Sequence, residues 1–205
     1  MRRLARTRAG LAVVIVLAAC TAASTSPPPP TSTPAPTPAA PSPTPQVLAC
    51  QPDPELAPLE VVPELLAILP ADVDGIPIER SPDGEAAGLD DACLEVIASG
   101  FASGFAADHE NFVFAVVAGL REPGSFSTEL FRDWRDSFDE GACSQASGVG
   151  GHSETEIGGR TVYIGTCVGG LLTYHTWLEA NGVLISASAV GERRLGELLV
   201  EHLRP

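Results

Sequence analysis

The chain of 205 residues contains no lysine, and all twelve of its basic residues are arginine. Three kinds of site depend on a lysine amine: the phosphate-binding P-loop, the Schiff base and the serine–lysine dyad. The absence of lysine therefore excludes these three classes of site from the protein.

The residues that usually carry chemistry also lack the spacings that mark metal or hydrolase sites. His109, His152, His175 and His202 include no His-x-x-x-His pair, the five cysteines include no Cys-x-x-Cys pair, and no Gly-x-Ser-x-Gly elbow occurs. The segment 72–75 resembles the start of a calcium loop, but its glycine comes two positions early, so it predicts a turn. We therefore expect no metal ion and no cofactor.

Basic residues are scarce, and a third of them lie in the first eight positions. From Cys20 onward, eight arginines stand against 26 acidic residues, a net charge of −18. So acidic a surface repels nucleic-acid phosphates and anionic lipid head groups. We therefore expect no nucleic acid among the partners of the folded domain.

The N-terminus combines a basic segment, 1–8, with an uncharged apolar run, 9–19. This pattern is typical of a secretory signal peptide, and the run is shorter than the ~20 residues that span a bilayer. Leu17-Ala18-Ala19-Cys20 resembles the lipobox of bacterial lipoproteins. The resemblance implies that the signal peptide 1–19 is removed and that Cys20 carries lipid with long acyl chains, such as palmitate, as a membrane anchor. An ordinary signal peptide with a chance cysteine is the alternative.

Residues 21–46 consist of Thr, Ala, Ser, Pro and one Gln, and ten of these 26 are proline. Such a composition forms no apolar core and favours extended polyproline II structure. We expect residues 20–46 to be a lipidated cysteine and a disordered tether, which reaches roughly 80 Å at about 3.1 Å per residue. The folded domain then occupies 47–205.

The folded region predicts one α+β domain, in which helices pack on an antiparallel sheet. Short elements are expected over 63–69 (helix) and 76–79 (strand), with a buried strand over 111–118. Two longer helices and a closing one are expected from their apolar stripes over 90–108, 125–140 and 192–203. In the first, a repeated Ala-Ser-Gly-Phe stacks Gly100 over Gly104, which predicts close packing against another element. In the second, Gly141 is expected to stop the helix and Arg132 to pair with Asp136.

The last third of the chain predicts a four-strand antiparallel meander. Gly158-Gly159, Gly169-Gly170 and Asn181-Gly182 separate apolar, β-favouring runs, and such dipeptides form two-residue hairpin loops. The expected strands are 153–157, 160–168, 171–179 and 183–190.

These loops predict which side chains share a sheet face. They set Trp177 opposite Ser186 and Val162, and His175 opposite Ser188 and Ile164. Whether this face is buried is left open. If it is exposed, His175, Trp177, Ser186 and Ser188 form a candidate binding face for a sugar, a peptide or a protein.

Four cysteines besides Cys20 are expected to form two disulfides in an exported protein. Three pairings are possible. Local geometry favours Cys143–Cys167, which the first meander hairpin brings together, and this leaves Cys50 with Cys93 to hold down the N-terminal arm.

The leading functional prediction is a lipid-anchored extracytoplasmic protein, a non-enzymatic binding module for an unknown envelope protein or small ligand. The alternative is a cell-envelope hydrolase that uses His152 or His175 with a nearby serine and carboxylate. A purely structural envelope component is a third possibility. The two leading classes differ in whether base, nucleophile and acid converge in a cleft.

Overall fold

The computed structural model describes residues 55–204. The predicted signal peptide, the tether, Cys20 and Cys50 lie outside these residues.

The described chain contains β-strands, α-helices and short 3-10 helices. The strands are β1 (Glu60–Val61), β2 (Asp72–Val73), β3 (Ile76–Pro77), β4 (Glu79–Arg80), β5 (Ala98–Asp108), β6 (Asn111–Leu120), β7 (Val149–Ile157), β8 (Arg160–Cys167), β9 (Leu172–Leu178) and β10 (Val183–Val190). The α-helices are α1 (Pro82–Leu89), α2 (Ala92–Ile97), α3 (Thr128–Cys143) and α4 (Leu195–Glu201). The 3-10 helices are Pro63–Ile68, Ser144–Ala146 and Glu179–Asn181.

One eight-stranded sheet organises the domain, in the order β1-β5-β6-β10-β9-β8-β7, with β4 also pairing with β5. All of its pairs are antiparallel except β1 with β5. Strands β7 to β10 form the predicted meander, and α4 follows it. The α+β class and the C-terminal meander are therefore confirmed.

The helix expected over 90–108 is wrong over most of its length. Only Ala92–Ile97 is helical, and 98–108 is strand β5, paired along its length with β6. A four-residue repeat fits a strand as well as a helix, because four is two strand periods. The close packing expected of the glycines is present: a Cβ on Gly104 would lie 2.9 Å from Ile78 Cγ2.

The second long helix, α3, lies three residues later than expected. Ser127 caps it by accepting a hydrogen bond from the Leu130 backbone, and Gly141 does not stop it, since it continues to Cys143. The expected pair of Arg132 with Asp136 is also wrong, because Arg135 binds Asp136 instead.

The sheet has a core on each of its faces. One core is closed by α4 through Leu195, Leu199 and Val200. The other is covered by α3 through Phe131 and Trp134, which pack against β-strand side chains that include Leu184. The side chains that α3 covers are those that carry the candidate site.

The loop lengths correct the predicted strand register. The β9–β10 connection has four residues, 179–182, so His175 faces Ser186 and Trp177 faces Leu184. On the other side, Tyr163 rather than Ile164 faces His175. This one-residue shift places Val162 and Ile164 on the opposite face of the sheet from His175.

Candidate functional site

A chain of polar side chains crosses the core between α3 and the sheet. Trp134 Nε1 donates a hydrogen bond to Ser186 Oγ at 3.0 Å. Ser186 Oγ lies 2.9 Å from His175 Nδ1, and His175 Nε2 lies 2.8 Å from Asp139 Oδ1. The side chains of His175 and Asp139 are both fully buried.

The protonation state of this chain follows from its contacts. Burial lowers the pKa of His175 and outweighs the opposing effect of Asp139, so the imidazole is neutral at neutral pH. A carboxylate only accepts, so Nε2 carries the hydrogen and Nδ1 accepts the Ser186 hydroxyl. Ser186 then accepts a hydrogen bond from Trp134 and donates one to His175. Every polar side chain in this chain therefore has a hydrogen-bond partner.

Asp139 is the centre of the network. Burial alone would raise the pKa of its carboxyl, but the hydrogen bond from His175, the hydroxyl of Thr173 and the electrostatic effect of the two histidines together lower it. Thr173 in turn accepts from the Gly165 backbone at 3.1 Å. Asp139 is therefore held ionised inside the protein by groups on β7 and β9.

The second oxygen of Asp139 connects the core to the surface. His152 Nε2 on β7 lies 2.9 Å from Asp139 Oδ2, and the His152 side chain is 35% exposed. Asp136 Oδ1 lies farther away, at 3.9 Å. Nε2 of His152 is engaged by Asp139, and its other ring nitrogen, Nδ1, makes no hydrogen bond with the described residues.

His152 opens onto a cleft between the start of α3 and strands β7 and β8, which we call the α3–β7 cleft. Its volume is 340 Å³. The cleft is lined by Thr128, Phe131, Arg132, Arg135, His152, Ser153, Glu154 and Tyr163.

The two arginines of the cleft differ in whether they form hydrogen bonds and ion pairs with the protein. Arg135 lies over the Tyr163 ring, 5.4 Å from its centre, and donates to Asp136 Oδ1 through Nε at 2.8 Å and Nη2 at 2.6 Å. Burial and the nearby negative charge of Glu154 raise the pKa of Tyr163. Arg132 is exposed and makes no hydrogen bond or ion pair with the described residues.

A second, more apolar crevice of 360 Å³ lies where α1, α2 and α3 meet the sheet. It is lined by residues that include Leu94, Phe114, Trp134, Phe138 and Ser188. It contains none of the histidines.

The predicted binding face is not a surface. His175, Ser186 and Ser188 are buried, because α3 covers this face of the sheet. Trp177 is partly buried against Phe126 and Phe131, at ring-centre distances of 5.1 and 6.4 Å. The candidate binding face depended on exposure, and this condition is not met at His175, Ser186 and Ser188.

The cysteines follow the predicted pattern as far as the described residues show it. Cys143 at the end of α3 is bonded to Cys167 at the end of β8, with a Cα–Cα distance of 5.2 Å. Cys93 is also disulfide-bonded. Its predicted partner Cys50 lies outside the described residues, so the Cys50–Cys93 pairing stays a prediction.

Asp139 is the functional residue that the sequence argument missed. It lies on one side of α3 with Phe131, Arg135 and Cys143, at a spacing of four residues. The predicted helix ended at 140, with Cys143 beyond it, so the expected disulfide did not fix the side of the helix on which Asp139 lies. The continuation of α3 to Cys143 places Asp139 one turn before the disulfide, on the side that faces the sheet.

Within residues 55–204, no three His, Cys, Asp or Glu side chains are arranged to hold a metal ion. No helix in this part of the chain is long and apolar enough to cross a membrane. Comparison of the chain with protein-family models, with curated proteins and with solved structures finds no match.

Proposed function

We propose that this protein is an extracytoplasmic binding module, anchored by lipid on Cys20, and that its ligand binds in the α3–β7 cleft. The N-terminal signal and lipobox support export and anchoring. The Cys143–Cys167 disulfide is consistent with an oxidising compartment outside the cytoplasm.

The observation that carries this proposal is the contrast between the two ends of the polar network. Ser186, His175 and Asp139 have the residue types of a hydrolase triad, but they are buried and their hydrogen bonds are mutually satisfied. A substrate has no access to Ser186 Oγ. His152, by contrast, is held in place by Asp139 at the mouth of an open cleft, together with Arg132 and Tyr163. Rigidly held polar groups around a concave surface are typical of a binding site.

A thermal-shift assay with fractionated extract of the native envelope tests the proposal. A ligand that binds the folded state raises the unfolding temperature, by an amount that grows with the logarithm of its concentration relative to Kd. We expect one or more fractions to raise the Tm of the mature chain and to have a much smaller effect on Arg132→Gln and His152→Asn. Arg194→Gln is the matched control, because Arg194 is exposed and pairs with Glu197 on α4.

If every fraction that raises the Tm does so equally for all four proteins, the ligand binds elsewhere. If no fraction raises the Tm of the unaltered chain, the binding function is contradicted.

One observation favours an enzyme as the second candidate. In the His152–Asp139 pair, a buried carboxylate holds one imidazole nitrogen and leaves the other able to accept a proton, as a general base requires. Since Ser186 is inaccessible, water would be the nucleophile. The test is turnover of ester and phosphoester substrates by the mature chain. Activity that His152→Asn abolishes would support a hydrolase, and equal rates for the two proteins would exclude this role.

A further inference from the structure

The arginines of the described chain are almost all engaged. Residues 55–204 contain eight, and seven of them donate to a carboxylate or a backbone carbonyl. Arg80 binds Glu85, for example, and Arg121 binds the carbonyls of Glu95 and Ala98. Among the described residues, Arg132 is the arginine that lacks such a partner, although the chain has more than twice as many acidic residues as basic ones.

Two carboxylates near Arg132 are bonded to other groups. Asp136 accepts two hydrogen bonds from Arg135, and Asp139 binds the two histidines. Glu154 also lines the cleft, where its negative charge acts on the Tyr163 hydroxyl, but it forms no ion pair with Arg132. Among the described residues, no carboxylate pairs with the Arg132 guanidinium.

A second arginine, Arg135, lies close to Arg132 in the cleft. Arg135 lies three residues after Arg132, so the two guanidinium groups share one side of α3 and both line the cleft. Like charges one turn apart on a helix repel each other. An anionic group bound beside Arg132 would relieve that repulsion, and it would also lie near the imidazole of His152.

We infer that the ligand of the α3–β7 cleft carries a single oxyanion, a carboxylate or a phosphate, that binds Arg132. This inference rests on the proposed binding function. The planar guanidinium donates two parallel hydrogen bonds to such a group. The net charge of −18 after Cys20 repels polyanions, which restricts the ligand to a small molecule with one anionic group.

The test is an NMR titration of the full mature chain carrying Cys20→Ser, with acetate, inorganic phosphate and neutral acetamide as probes. The readouts are the Arg132 Nε–Hε signal and the imidazole signals of His152. We expect acetate or phosphate to shift both sets of signals, whereas acetamide does not. The anion that shifts them at the lower concentration identifies the group as carboxylate or phosphate.

The variants give the expected size of the effect. Hydrogen bonds to a charged group contribute about 1.5–3 kcal/mol, so Arg132→Gln should weaken anion binding roughly ten- to hundredfold. Arg194→Gln should leave it unchanged. Equal weakening in both variants would indicate a general charge effect and would overturn the inference.

The outcomes also separate this inference from the proposed function. If acetamide shifts the His152 signals and neither anion does, the cleft binds ligands but the anionic class is wrong. The anionic class is also wrong if no probe shifts the His152 signals, while an envelope fraction raises the Tm of the mature chain but not that of Arg132→Gln and His152→Asn. If neither experiment detects binding, both proposals are wrong.

Discussion

At the scale of single residues, His175 and Asp139 couple stability to pH. Burial lowers the pKa of His175 in the folded state, so below about pH 6.5, the ordinary value for histidine, the unfolded chain binds more protons than the folded one. Stability therefore falls on acidification by up to about 1.4 kcal/mol per pH unit from this group. The pKa of Asp139 is also lowered, and its contribution, present above the ordinary aspartate value, is lost at still lower pH.

We therefore predict that the free energy of unfolding falls between pH 7 and pH 5 and that His175→Gln flattens this dependence. Urea unfolding at several pH values measures it. The control is His109→Gln, which alters an exposed histidine outside the network and should leave the slope intact. An unchanged slope in His175→Gln would show that the buried histidine is not the titrating group.

The closeness of α3 to β8 predicts a second single-residue effect. A Cβ on Gly165 would collide with the Asp139 carboxylate and the Thr173 hydroxyl. Gly165→Ala should cost roughly 1–3 kcal/mol in unfolding free energy, because the network has no room to move. Gly151→Ala on neighbouring β7 is the control, since nothing lies within 4 Å of its added Cβ. Equal stability of the two variants in urea would contradict the close contact between Gly165 and Asp139.

At the scale of elements, the Cys143–Cys167 disulfide holds the end of α3 against the sheet. Cys143–Cys167 closes a loop with a sequence separation of 24 and joins the end of α3 to β8. Replacing both cysteines by serine should reduce stability by about 2–4 kcal/mol. Non-reducing peptide mapping should find this bridge and a Cys50–Cys93 bridge. A free Cys50 thiol, or a Cys50–Cys143 linkage, would contradict the pairing.

The elements that the sequence predicted well are those with local signals. The meander was predictable because glycine pairs mark its turns, and β6 because its apolar run is continuous. Strand β5 was missed because its four-residue repeat fits two periodicities, and only pairing with β6 decides between them. The register of β9 with β10 was missed because Glu179–Asn181 forms a 3-10 turn, which lengthens their loop by two residues.

The candidate site was predictable only in part. His152 and His175 were singled out as the histidines of a possible site, and both contact Asp139. The burial of the His175 face was not predictable, because its mixture of Thr, Ser, His and Trp matches neither an apolar core nor a polar surface. The tertiary contact with Trp134 and Asp139 of α3 makes the burial of those polar groups favourable.

At the scale of the whole molecule, the lipobox predicts that one atom decides where the protein resides. Cys20→Ser removes the sulfur that would carry the lipid, so we expect the protein to leave the membrane fraction and appear in the soluble one. Two acyl chains suffice for stable anchoring where one does not. Fractionation after a salt wash measures this. Continued membrane association of Cys20→Ser would show that another part of the chain anchors the protein.

Native mass spectrometry of the protein released from its own cell envelope tests the central claim most directly. We predict that the mature chain carries a small additional mass, that Arg194→Gln carries the same mass, and that Arg132→Gln has lost it. The mass difference would also give the size of the ligand. An unoccupied mature chain, or a bound mass that Arg132→Gln retains in full, would contradict the assignment of the α3–β7 cleft as the binding site.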